Sequence, residues 1–324
     1  MKAILARSFG PADVLKLEEV PDPVAGPGQV RVRVQAVGVN PYDTYMRTGT
    51  YAIVPTLPYT PGADAAGVID QAGEAVQDLA VGDRVYIGGT AQGRAHGAYA
   101  ALVVCDPGQA HLLPDRISFS QGAGIMVPYV TAWRALFGRG HARAGDTLLI
   151  HGASGGVGIA ATQFARAAGL TVIGTAGTDG GLALVTAQGA HHALNHRADG
   201  YLDEVTALTG GRGPDLILEM LANVNLDRDL TIAAVGGRIV VIGNRGRVEI
   251  DARKIMTKDL SVRGVALWGI PADEITRAHR AIVAGLESGA LTPVVGTEMP
   301  LADAARAHVQ LMEPGAKGKI VLVP

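Results

Sequence analysis

One octapeptide constrains this chain more than any other: His151-Gly152-Ala153-Ser154-Gly155-Gly156-Val157-Gly158. It follows the apolar run Thr147–Ile150 and opens a stretch, Gly156 to Ala168, that reads as a helix. A strand, a glycine turn and a helix in that order form the dinucleotide-binding fingerprint, in which backbone N–H groups at the helix N-terminus meet a pyrophosphate. Gly155 lets the backbone approach the phosphates, and Gly158 lets the helix pack close to the strand. The sequence departs from the fingerprint at its first glycine, where Ala153 stands.

The surrounding pattern fits that reading. Apolar runs at Thr147–His151, Thr171–Thr175, Asp215–Glu219, Arg238–Ile242 and Leu260–Val265 read as strands separated by helical segments such as Leu226–Ala234. Short buried strands alternating with helices predict a parallel sheet covered on both faces. Residues 118–137 read as one helix kinked at Pro128. Before Ser118 the signals are β: Val30, Val32, Val34 and Ala36 alternate with Arg31, Arg33 and Gln35, and Val81–Tyr86 and Ala98–Val104 read as further strands. After it come helices at Ala272–Ser288 and Ala302–Met312 and a strand at Lys319–Val323, expected to return to the first domain. The expected organisation is 1–122, 123–268 and 269–324: a β-rich domain, a doubly wound α/β domain, and a C-terminal return to the first.

An Asp or Glu at the tip of the second strand marks a site for a free ribose 2′-hydroxyl. Here the tip reads Thr175-Ala176-Gly177-Thr178, with Asp179 too late. A small neutral tip leaves room for a 2′-phosphate and favours NADPH. His196, Arg197 and Arg245 are candidate cations for it, or else solvated loop charges.

Composition removes several alternatives. With 324 residues, 48% of them hydrophobic, the chain can fill two cores. A net charge of -2 and 4% aromatic residues suit neither nucleic-acid binding nor a base-stacking platform. The single cysteine, Cys105, excludes an intrachain disulfide and a thiolate metal cluster. No apolar run is long enough to span a membrane. The expectation is a soluble, cytoplasmic protein. Apolar strands around Ile239–Ile242 and Val262–Val265 could pair across a two-fold axis, so a homodimer or homotetramer is expected.

Beyond the turn, several segments are diagnostic in combination: Asn40-Pro41-Tyr42-Asp43-Thr44-Tyr45-Met46-Arg47-Thr48-Gly49-Thr50-Tyr51, then Gly174–Thr178, then Glu219-Met220-Leu221-Ala222-Asn223-Val224-Asn225-Leu226. Together, and essentially end to end, they resemble the zeta-crystallin family of NADPH:quinone reductases, zinc-free members of the medium-chain dehydrogenase/reductase superfamily. The resemblance implies a GroES-like N-terminal domain, a Rossmann domain and a cofactor in the cleft between them. It implies that Tyr45 lies near the nicotinamide and that Thr131 contacts the nicotinamide ring or its ribose. Ser154, Gly155, Gly156, Val157 and Gly158 would hold the pyrophosphate, and Gly177 and His196 would flank the adenosine end. Asn225 would line the loop after the fourth strand, and Ile242-Gly243-Asn244-Arg245 and Val265-Ala266-Leu267 would cradle the nicotinamide side. Zinc enzymes of the superfamily carry Cys where Asn40 stands and His-Glu where Ala63-Asp64 stands. With those ligands replaced, no metal is expected.

The reaction so implied passes hydride, or single electrons, from NADPH to a quinone. Negative charge then grows on the acceptor oxygen, and a waiting donor would stabilise it. Tyr45, Asn40 and Tyr51 are the candidate donors. Each has a structural alternative: Tyr45 as a packed aromatic, Asn40 as a cap before Pro41. Two other functions share these features: reduction of enone or enoyl double bonds, and a non-enzymatic structural or RNA-binding role.

Overall fold

Val30, Val32 and Val34 bury one face of a strand, and a β-rich unit assembles around it. The structure, a computed structural model, describes residues 1–88 and 97–324. Its chain forms two units. One comprises Met1–Val127, Thr292–Glu313 and Gly318–Pro324; the other comprises Pro128–Leu291 and Pro314–Lys317.

In the first unit β1 (Lys2–Ala6) and β2 (Leu15–Glu19) form an antiparallel ribbon. There follow β3 (Val30–Gly38), α1 (Pro41–Arg47), β4 (Asp64–Ala72), β5 (Arg84–Gly88), β6 (Leu102–Cys105), β7 (Ala110–Leu112) and α2 (Phe119–Gly122). The chain passes into the second unit within α3 (Met126–Trp133), which runs into a π-helical turn over Arg134–Arg139. It continues through β8 (Thr147–Ile150), α4 (Gly156–Ala167), β9 (Thr171–Ala176), α5 (Asp179–Ala187), β10 (His192–Asn195) and α6 (Tyr201–Leu208). Then come β11 (Leu216–Glu219), α7 (Ala222–Ile232), β12 (Arg238–Val241), α8 (Ala252–Thr257), β13 (Ser261–Gly264) and α9 (Ala272–Ser288). The chain returns to the first unit with β14 (Val295–Pro300), α10 (Ala304–Met312) and β15 (Lys319–Val323).

The first unit's sheet runs β14-β15-β3-β4-β5-β7, with β6 also on β3. As expected, the final strand completes this sheet: β15 lies antiparallel to β3, with Val321 opposite Gly38 and Leu322 opposite Val37. Its core gathers Val32, Tyr59, Ile69, Val85, Tyr99 and Leu322.

The second unit carries six parallel strands in the order β10-β9-β8-β11-β12-β13. The order reverses between β8 and β11, so their carboxyl ends flank the crevice where doubly wound sheets bind ligands. Leu149, Ile173, Ile217 and Ile239 from successive strands share one core.

Two local expectations change. The helix read over 118–137 is interrupted at residues 123–125, not kinked at Pro128. Gly122 lies where a Cβ would come within 2.7 Å of that of Ala66. Pro128 stands in the first turn of α3, where a missing N–H costs no helical bond. Strand β10 had no sequence signal: its four residues, His-Ala-Leu-Asn, bury only Leu194.

Candidate cofactor site

The turn between β8 and α4 is built as its glycines require. Gly152 takes φ +60, so it supplies the tight turn that the usual first glycine would, and Ala153 is buried behind it. Gly152 N donates to Thr175 Oγ1 (3.2 Å) and Ala153 N to the Thr175 carbonyl (2.7 Å), which ties the turn to β9. A Cβ on Gly158 would come within 2.5 Å of Ala153 Cα and 2.6 Å of the Gly152 carbonyl oxygen. Gly155 is the N-cap of α4 and no side chain caps that end. The first N–H groups of the helix, on Gly156, Val157 and Gly158, therefore point out of it without a side-chain acceptor. Ser154 is buried, and its Oγ would stand 3.4 Å from a Cβ on Gly181, at the start of α5.

At the tip of β9, three predicted residues converge. A Cβ on Gly177 would meet His196 Nε2 at 2.7 Å and Arg197 Nε at 2.9 Å. Burial, with the charges of His151 and Arg197, lowers the His196 pKa. The guanidinium of Arg197 thus provides the fixed positive charge at this tip. Sequence reasoning missed Lys317, whose Nζ would lie 2.5 Å from a Cβ on Gly180. It sits far along the chain in the Pro314–Lys317 segment of the same unit, and no local motif marks it.

The first turn of α7 and the segments after β12 and β13 carry the next group of predicted residues; Asn225 lies in that helical turn, not in a loop. Asn225 Nδ2 donates to Glu219 Oε1 (3.2 Å), and Ile242 N and Gly243 N donate to the Glu219 carbonyl (2.8 and 3.2 Å). Arg245 N donates to Asn223 Oδ1 (3.0 Å), Asn244 Nδ2 to the Gly246 carbonyl (2.6 Å), and Val265 N to the Val241 carbonyl (3.0 Å). The Ala266 carbonyl, next to Leu267, accepts from the Arg134 guanidinium, which also pairs with Glu274 at 3.0 Å. Thr131 is buried on α3.

The remaining candidates lie in the first unit. Tyr45 and Tyr51 stack at 6.4 Å between centroids with 18° between planes, and both are half-buried. Asn40 is 2% exposed and its side chain is fully engaged: Nδ2 donates to Asp64 Oδ2 (3.0 Å) and Oδ1 accepts from Lys319 Nζ. It also opens α1 through a capping box with Asp43, whose Oδ2 accepts from Asn40 N at 2.8 Å. Lys319 Nζ pairs with Asp64 Oδ2 at 3.2 Å. Two of the three positions where zinc enzymes carry Cys and His-Glu, Asn40 and Asp64, thus meet an ammonium group.

Comparison with known proteins decides what these units belong to. Residues 26–132 match the alcohol dehydrogenase GroES-like domain, and residues 156–284 match the zinc-binding dehydrogenase family. The quinone oxidoreductase of Sus scrofa is 45% identical over 325 residues, spanning 100% of this chain and 98% of the relative. The chain belongs to the quinone oxidoreductase family. Among solved structures, the Escherichia coli quinone oxidoreductase complexed with NADPH has a TM-score of 0.88 at 28% identity, with 100% of both chains covered. An NAD-dependent alcohol dehydrogenase has a TM-score of 0.93 at 31% identity, also over 100% of both chains. The α/β fold with a GroES-like domain is the family's.

Proposed function

We propose that this enzyme reduces quinones with NADPH, without zinc. Full-length identity to quinone oxidoreductases carries the reaction class. The cluster at Gly177 supports NADPH over NADH, because Arg197 faces a tip that has no carboxylate to hold a free 2′-hydroxyl. The uncapped start of α4 fits a pyrophosphate. When bound, the nicotinamide supplies the hydride; the protein supplies orientation and electrostatics. Tyr45 and Tyr51 are the hydroxyl donors proposed for the oxygen that gains charge, with Asn40 supporting α1 beneath them through its cap. Lys319, held between Asn40 and Asp64, supports a zinc-free site. The open edge of β13 is where a second copy would add its own strand, giving a homodimer or homotetramer.

The test follows nicotinamide oxidation with an ortho-quinone, a short enone and a crotonyl thioester, with NADH as the cofactor control. Quinone turnover with NADPH preferred is the expected result. Turnover of the enone or thioester alone would replace the quinone assignment by double-bond reduction. In Arg197→Ala the preference for NADPH over NADH should fall by roughly tenfold to a hundredfold, the worth of one charge-assisted contact to a phosphate. An unchanged preference would remove Arg197 from the site.

A further inference from the structure

Beneath the cofactor loops the second unit buries a cluster that the proposed reaction does not use. His151 follows β8, Glu219 ends β11, and Asp229 lies on α7; the two acids are fully buried and the histidine is 3% exposed. One ring nitrogen and one oxygen from each carboxylate lie within 4.8 Å of one another. His151 Nε2 stands 2.9 Å from Asp229 Oδ1 and 3.5 Å from Glu219 Oε2. Glu219 Oε1 accepts from Leu221 N and from Asn225 Nδ2, but Glu219 Oε2 and Asp229 Oδ2 have no donor among the described residues. Two buried carboxylates side by side cannot both stay ionised without a compensating cation. Against the opposing pull of Glu219, burial lowers the pKa of the His151 imidazole, which disfavours the imidazolium as that cation. The Tyr201 ring meets His151 edge-on at 6.5 Å. His151 helps lower the pKa of His196, and the Arg228 charge is felt at Tyr201. A proton between the two acids supplies the donor that both orphaned oxygens lack.

We propose that His151, Glu219 and Asp229 form a proton-held pin, whose shared proton locks the glycine turn to the start of α7 at Leu221–Asn225 and to the Ile242–Gly243 loop and whose loss weakens nucleotide binding as pH rises. The three are positioning residues. Glu219 reaches the start of α7 through its carboxylate and the Ile242–Gly243 loop through its carbonyl, while His151 immediately precedes Gly152. Burial raises the pKa of both acids, that of Glu219 to about 8. The proton is therefore held at neutral pH and lost in mild alkali. Two facing carboxylates then repel, and the displacement of Glu219 takes its Leu221 and Asn225 contacts with it.

The nucleotide's identity rests on the function proposed above, so the test has one readout without nucleotide. Hydrogen exchange of the 219–226 segment, corrected for intrinsic rate, is compared at pH 6.5 and 9 in the full chain. NADPH dissociation constants are measured by fluorescence titration over the same range. In the wild type, protection should fall, and the dissociation constant should rise by up to about tenfold, the limit for one proton lost about one pH unit below the upper end of the range. In Glu219→Gln, whose amide donates to Asp229 at every pH, both dependences should vanish; Asp229→Asn gives the same comparison if the first variant does not fold. Exchange and affinity that ignore pH in the wild type, or keep their slope in both variants, overturn the pin while leaving the enzyme's function intact. A stoichiometric divalent metal released on unfolding would put an ion in place of the proton and also overturn it. A pH-dependent opening in a chain that never binds NADPH would sustain the pin and sink the assigned cofactor.

Discussion

Gly155 and Gly158 share one turn and answer to different demands. A Cβ on Gly158 would strike backbone, Ala153 Cα at 2.5 Å and the Gly152 carbonyl oxygen at 2.6 Å, neither of which can move without parting α4 from β8. Gly158→Ala should cost about 1–3 kcal/mol of stability, as overpacking does, and weaken NADPH binding too. At Gly155 the nearest atom to an added Cβ is 3.5 Å away. Gly155→Ala should therefore leave the denaturation midpoint within about 0.5 kcal/mol of wild type and weaken NADPH alone, since the methyl occupies the approach to the phosphates. Equal midpoint losses in the two variants would mean that the turn's glycines serve packing only. The turn was legible because its spacing is local. Lys317 and the His151–Glu219–Asp229 cluster were not, because each depends on residues brought together from separate strands and loops. Asn40 shows a third case. Its type and place next to Pro41 allowed either a donor to substrate or a cap, and only its contacts to Asp43, Asp64 and Lys319 show how its side chain is employed.

At the scale of elements, the stretch from α3 through the π-helical turn presents Arg134 to two partners that hold it in place. Its side chain is 6% exposed; it pairs with Glu274 at the start of α9 and donates to the Ala266 carbonyl after β13. Removing Glu274 leaves a buried guanidinium half-satisfied. Glu274→Ala should cost about 3–5 kcal/mol, the usual toll of orphaning a buried charge, read as a lowered denaturant midpoint. If the midpoint moves by less than about 1 kcal/mol, water reaches Arg134 and the pair is superficial. Elements with strong periodicity were legible in the sequence: α9 is found at Ala272–Ser288, where it was read, with Ala278, Ile282 and Leu286 buried on one face. The break before α3 was not; it follows Gly122, which packs against Ala66 on β4, a contact no local pattern marks. Nor was β10, an edge strand whose membership comes from pairing with β9.

At the scale of the whole molecule, both units bury acids whose pKa values rise on folding, and this sets how stability responds to pH. In the first unit, burial pushes Asp43 up to about 7 against the opposing pull of the Asn40 backbone N–H and Lys319. Burial raises Asp64 as well. In the second, Glu219 and Asp229 behave the same way. A carboxyl with a raised pKa binds more protons folded than unfolded between its two pKa values, so stability falls as pH climbs through that window. Histidines act in the opposite direction. Burial lowers His111 to about 4 and His308 to about 3, so their contribution is lost only as pH falls below about 6.5. The two trends oppose each other in mild acid, but above about pH 6.5 only the acids still titrate. Stability should therefore decline from pH 6.5 to 8.5, by an amount on the order of a few kcal/mol, and level off above. Asp43→Asn keeps an acceptor for the Asn40 N–H and removes the charge, so it should flatten the decline for the unfolding of the first unit alone. A wild-type midpoint that rises over this range would show that these carboxyls are hydrated in the native state. A decline that Asp43→Asn leaves unchanged would assign it to the second unit's buried acids, where Glu219→Gln should then abolish it.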